Sequence, residues 1–180
     1  ERIAQVNIIQ PNGDTATIIS LGKKDKFGTP EDLDKTVFKY AQLGYDIAGS
    51  LFQLKLEDVL PESDFSRGDS EVVRAEFLTF DGLKIMTETS FSDDDGFYYT
   101  TLRAENSVSG PAPKDIQALN VLKTTEQVQQ EITTLNKQFD SWVYRFSGFV
   151  GTNLMRSEQD MVTKSEQVIP MPVDVTGFGQ

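Results

Sequence analysis

The chain has 180 residues, 17 Lys+Arg against 28 Asp+Glu, a formal net charge of −11, and neither His nor Cys. The two missing residue types exclude triad hydrolysis through an imidazole base, thiol nucleophiles, disulfides, thiolate zinc sites and iron–sulfur clusters. The acidic balance argues against nucleic acid or an anionic membrane surface as partner, and no run reaches the roughly 18–20 apolar residues of a membrane-spanning helix.

Residues 3–9 are rich in β-branched side chains and predict a strand. Pro11-Asn12-Gly13-Asp14 is a turn signal, and Thr15–Leu21 returns, so the chain opens with a hairpin. After a polar connection, Thr29-Pro30-Glu31-Asp32 carries a cap, a first-turn proline and acids at the positive end of a helix dipole. Leu33, Val37, Tyr40, Ala41, Gly44, Ile47, Ala48, Leu51 and Phe52 then recur at helical steps, predicting one long helix to about Gln53. Ala41, Gly44 and Ala48 share a face of that helix and would admit close packing. Glu57, Asp58, Glu62, Asp64, Asp69 and Glu71 form an acidic stretch, read as a solvated loop or a docking site for a basic partner. Pro61–Ser70 reads as loop.

The clearest β pattern follows. Val72–Phe80 is a strand, Asp81-Gly82 a two-residue turn expected to be exposed, and Leu83–Phe91 the return. Ser92–Gly96 turns the chain again and Phe97–Ala104 completes an antiparallel meander. Counting outward from the two-residue turn pairs Leu78 with Ile85 and Glu76 with Thr87. After a Gly/Pro break at 107–113, an apolar stripe predicts a second long helix from Lys114 to about Asp140. Trp142, Tyr144 and Phe146 alternate in a short strand, and the strand's return onto the sheet predicts Trp142 as a core anchor. A third helix is expected over Thr152–Lys164, burying Leu154, Met155 and Met161, followed by an irregular tail at 165–180.

The expected fold is one α+β domain. Its antiparallel sheet comprises the N-terminal hairpin, the central three-stranded meander and a late edge strand, with two long helices and a short C-terminal helix packed on one face. Residues 1–60 and 71–164 have coarsely similar element orders, which suggests two similar halves.

Three motifs carry candidate chemistry. Asp93-Asp94-Asp95-Gly96 suits either a calcium loop or a hairpin turn; it lacks the spacing and distal Glu of an EF-hand. Two carboxylates suffice for glycoside hydrolysis, but the expected register sends Glu76 and Glu88 to opposite faces. No Gly-rich phosphate loop is present. The aromatic residues Phe97, Tyr98, Tyr99, Trp142, Tyr144 and Phe146 offer either core packing or a stacking surface, with Tyr98, Trp142 and Tyr144 the candidates for ligand or partner contact.

Phe80-Asp81-Gly82-Leu83-Lys84-Ile85, Phe97-Tyr98-Tyr99-Thr100-Thr101-Leu102, Leu135-Asn136, Trp142-Val143-Tyr144, Phe149, Leu154 and Asp160-Met161-Val162 occur in that order. Over residues 72–164 the succession resembles the bacterial family called domain of unknown function 4340. Ser141 stands where that family usually has Gly, and Arg145-Phe146-Ser147-Gly148 replaces its usual Leu-Pro. The resemblance implies an envelope-associated protein without established catalysis, anchored at its N-terminus. The start at Glu1 fits removal of such an anchor, and the lack of Cys fits an extracytoplasmic bacterial location. The functional expectation is therefore a non-catalytic interaction or structural domain that needs no cofactor or metal, with another envelope protein as partner. A small-ligand or glycan-binding module using exposed aromatics is the alternative, and a carboxylate hydrolase is a third class.

Overall fold

The computed structural model describes residues 2–22, 26–30, 36–40, 42–52, 55–108 and 110–164. The N-terminal hairpin forms from β1 (Ile3–Ile9) and β2 (Thr15–Ser20), with Gly13 taking the positive φ that the turn requires. A two-residue strand, β3 (Phe27–Gly28), adds outside β2.

The long helix expected from Pro30 to about Gln53 is not what forms. Thr36–Phe38 is a strand (β4), α1 covers only Leu43–Ala48, and Ser50–Phe52 is a single 3-10 turn; residues 31–35 lie outside the described part. Apolar residues at helical steps fit this broken path as well: α1 buries Leu43, Ile47 and Ala48, while Phe52 is left exposed. Gly44 does mark a close approach: a Cβ there would lie 2.7 Å from the Phe38 ring and 2.8 Å from Phe27. The small residue admits the two aromatics that stack α1 onto β3 and β4.

The acidic stretch is partly sheet. Asp58–Pro61 forms β5, and Glu62–Asp64 is a 3-10 turn. The meander is β6 (Val73–Thr79), β7 (Leu83–Ser92) and β8 (Phe97–Asn106), all antiparallel. Its register differs from expectation by one residue: Phe77 pairs Ile85, Leu78 pairs Lys84 and Glu76 pairs Met86. The connection is three residues, Phe80-Asp81-Gly82, because the Thr79 hydroxyl accepts the Leu83 N–H at 2.9 Å and closes the strands a step early. Asp81 is not exposed either; its side chain is 2% accessible and holds Arg2.

The second long helix is also divided. A short α2 (Lys114–Gln117) ends before Asn120, which has φ 52°, and α3 (Thr125–Phe139) starts afresh at a capping box between Thr124 and Gln127. β9 (Trp142–Phe146) follows. The expected third helix is α4 (Phe149–Leu154) and α5 (Glu158–Met161), then β10 (Val162–Lys164), which pairs with β4 in a separate two-stranded sheet. Leu154 and Met161 are buried and Met155 packs against the core, as expected. The tail at 165–180 lies outside the described residues.

The strands assemble into one eight-stranded antiparallel sheet in the order β3-β2-β1-β6-β7-β8-β9-β5. β9 is therefore internal and β5 is the edge, capped by Pro61, which has no N–H to offer a further strand. Val6, Ile8, Ile18, Val73, Ala75, Phe77, Leu83, Ile85 and Ala104 form one continuous sheet face, and residues of α1, α3, α4 and α5 bury it. The other face carries Arg74, Glu76, Lys84, Glu88, Arg103 and Glu105 in ion pairs or toward solvent, following strand alternation. The α+β class and the antiparallel sheet are as expected, while the number of strands and the extent of the helices are not.

Candidate functional site

The aromatic candidates divide by what covers them. Alternation with the β8–β9 register (Tyr98 opposite Phe146, Thr100 opposite Tyr144) puts Tyr98, Trp142, Tyr144 and Phe146 on the helix-covered face. Tyr98 is absorbed into packing: its ring stacks near Phe91 and Phe146, lies against Gly151 of α4, and its hydroxyl meets Thr152 at 3.1 Å. Tyr144 donates to the Gln138 carbonyl at 2.9 Å and meets Phe139 edge-on. Phe97 and Tyr99 belong to the opposite face, where Phe65 stacks on Tyr99 at 4.7 Å and the Arg145 guanidinium sits 4.7 Å from the Phe97 centroid.

Trp142 is different. It was expected in the core and is 41% exposed, whereas Phe146 at the far end of the same strand is 1% exposed. Both lie on the helix-covered face, but β8 pairs with β9 only through Tyr98, Tyr99 and Thr100. At Trp142 the two strands have parted, and α3 ends at Phe139 before it can cover the indole. Ser141 makes the corner with φ 68°, a left-handed conformation that glycine adopts without cost.

The parting leaves a groove of about 630 Å³ between β8, the C-terminal half of α3 and the Ser141–Trp142 corner. Leu102, Ile132, Phe139 and Trp142 supply apolar surface; Gln129, Thr133 and Asn136 supply neutral polar groups. Two cations, Arg103 and Lys137, are matched by two carboxylates, Glu62 and Asp140. The Asn136 carboxamide accepts the Ala104 N–H and donates to the Ala104 carbonyl, both at 2.8 Å. It thus acts as a one-residue strand sealing part of the β8 edge. In the sequence, Leu135-Asn136 stands out only through the family resemblance, with no sign of this strand-like role. Nothing there groups Glu62, Arg103 and Lys137, since only the fold gathers them.

The carboxylates look different from a hydrolase pair. Glu76 and Glu88 share the open face after all, because the one-residue change of register reverses their relative orientation. Each is ion-paired, Glu76 with Lys84 at 3.4 Å and Glu88 with Arg67 at 3.2 Å and Arg74 at 3.0 Å. Burial opposes ionisation of Asp81 and Glu131, yet both titrate below their usual range because bonds from Arg2, joined by Thr79 and Lys123, outweigh it. The Tyr99 bond holds Asp95 low, and the Ser157 bond does so for Asp160. Among the described residues, every shifted carboxylate favours the charged form, the reverse of what a general acid needs.

Asp93–Gly96 folds as a turn, with Gly96 at φ 75° and the Asp95 carboxylate taking the Phe97 N–H at 3.2 Å and the Tyr99 hydroxyl at 2.5 Å. Among the described residues, no cluster of three or more Asp or Glu is placed to hold a metal ion. No described helix is long and apolar enough to cross a membrane.

In comparisons with known proteins, no family model matches the chain, and none of the curated proteins or solved structures searched is similar to it.

Proposed function

We propose that this protein is a non-catalytic binding domain of the bacterial envelope and that the groove around Trp142 is its recognition surface. One observation carries the reading. The only tryptophan of the chain is exposed at the rim of a groove, while the other large aromatics of its sheet face are packed against helices. An indole half out of water is a common binding anchor, offering large area with little rotamer entropy to lose. The ion-paired state of Glu76 and Glu88 favours binding over hydrolysis, and the envelope assignment rests on the family resemblance over residues 72–164.

Of the two kinds of occupant the sequence suggests, a partner protein and a small ligand, the groove favours the second. Its lining, a few neutral polar groups set among apolar side chains beside an exposed indole, is that of a small-molecule site. The test is retention from a bacterial envelope extract on immobilised wild type and Trp142→Ala, with bound material identified by mass spectrometry. A species held by wild type and released by the variant is expected. Identical profiles from two folded proteins would show that the groove is not the recognition surface.

A further inference from the structure

The helices cover the sheet unevenly. α1 packs on β1, α4 on β6 and β7, and α3 on β8, whereas no helix packs along β9 or β5; only Phe139, the last residue of α3, meets Tyr144 edge-on. The register sets Val59 opposite Tyr144 and Pro61 opposite Trp142, so these four side chains share the helix side of the last two strands. They form an apolar panel in which Val59 is 37% and Trp142 41% exposed. At the other end of the panel the Ser147 hydroxyl bonds Glu57 at 2.9 Å, and Leu56 and Phe149 are exposed there as well. Four of the nine large apolar side chains exposed among the described residues thus belong to β5, β9 and their immediate flanks. The panel's outer margin is acidic. Residues 55–64 carry four carboxylates against one cation, Lys55. Arg145 neutralises Asp58 at 3.5 Å, while Glu57, Glu62 and Asp64 have no ion pair among the described residues.

We propose that this panel is the docking face for a basic amphipathic helix of a partner protein, a surface beside the groove and independent of what the groove holds. A sheet of this kind buries its apolar face under helices, and a helix laid along β9 completes the layer that α1, α4 and α3 leave open. β9 is five residues long, about 16 Å, which is the length of about three helical turns. The apolar side of such a helix would meet Val59, Tyr144 and Trp142, and lysines or arginines on its flank would meet Glu57, Glu62 and Asp64. Two other occupants fit less well. A further strand is blocked at β5, because Pro61 has no N–H and the Asp58 carboxylate takes the Val59 N–H at 2.9 Å. A second copy of the chain brings the same acidic margin and its own net charge of −11, so like charges oppose it.

Trp142 is the only tryptophan, so its fluorescence reports on the panel. The full chain is titrated with two synthetic helices of about 14 residues. One carries leucines on one face and lysines on the other; the second has glutamates in place of the lysines. The lysine peptide should give a saturable blue shift that weakens as salt rises from about 0.05 to about 0.5 M, and the glutamate peptide none. Val59→Lys removes an apolar contact and opposes the peptide's charge, on an edge strand where lysine is well tolerated. It should weaken binding about tenfold or more. Val108→Lys adds the same charge at an exposed site outside the panel and should stay within about twofold of wild type. Circular dichroism checks that both variants are folded. Equal binding of the two peptides, a comparison that needs wild type alone, would overturn the proposal. Equal effects of the two variants, or no saturable shift at about millimolar peptide, would do the same. Sedimentation of the free protein tests the second copy: a dimer dispersed by Val59→Lys would overturn the proposal in favour of self-association. Val59 does not line the groove, so a species retained from the extract through Trp142 but not Val59 would leave the groove reading standing however the peptides behave.

Discussion

Asp81 offers the sharpest test of how the fold is held. It sits in the β6–β7 connection with its side chain 2% exposed, and Arg2 grips it at 2.8 and 3.1 Å. The Lys123 N–H donates to it at 2.9 Å and the Thr79 hydroxyl at 2.5 Å. Arg2 also reaches both oxygens of Glu131 on α3, at 3.0 and 2.9 Å, and Lys123 reaches Glu131 at 2.8 Å. One carboxylate thus ties the start of β1, the meander turn and the helix that walls the groove. Removing one member of a buried charge pair costs about 3–5 kcal/mol. In Asp81→Ala, Arg2 is 19% exposed and keeps Glu131, so the lower end applies, about 3 kcal/mol, including the orphaned Lys123 N–H. Arg74→Ala is the control: its pair with Glu88 is exposed and should be worth at most about 1 kcal/mol. The folded-state pKa of Asp81 is depressed, so its contribution is full above the unfolded carboxyl value near 4 and is lost as pH falls through the lower folded value. Urea unfolding at neutral pH and again below pH 4, followed by far-UV circular dichroism, measures both effects. The gap between wild type and Asp81→Ala should narrow in acid. An Asp81→Ala midpoint no lower than that of Arg74→Ala, or a gap independent of pH, would refute the lock.

Phe146→Ala should cost about 3–5 kcal/mol and Trp142→Ala about 2 kcal/mol or less despite the larger ring, because only part of the indole leaves water on folding; paired urea melts compare them, and the reverse order would return Trp142 to the core. Ser141→Gly should raise stability by about 0.5–1 kcal/mol, as relief of left-handed backbone strain exceeds glycine's added chain entropy, and an unchanged or lower melting temperature would show that the corner is unstrained. Gly151→Ala places a methyl group inside the Tyr98 ring, so overpacking of about 3 kcal/mol should outweigh the helix-propensity gain of about 1 kcal/mol; a higher melting temperature would contradict the α4–β8 contact.

The sequence by itself determined the six longer strands, β1, β2 and β6–β9, and which residues share a face within each, but not the short strands β3, β4, β5 and β10. Strand alternation is a local property, so Leu83, Ile85, Thr87, Thr89 and Phe91 are assigned to one face from their spacing, and they lie on one face. The capping box at Thr124 and Gln127 is also legible in the residues, and would have divided the long helix correctly. Tertiary structure decided the rest. The broken path through residues 36–52 depends on Phe27 and Phe38 closing over Gly44, a contact between separate segments that periodicity cannot register. The β6–β7 register turned on one hydroxyl, Thr79, and with it the relative facing of Glu76 and Glu88. The exposure of Trp142 follows from where α3 stops and where β8 and β9 part, which no side chain at 142 encodes. The groove residues stand as far apart in sequence as Glu62 and Trp142, and only the pairing of β5 with β9 and the packing of α3 on β8 bring them around one space.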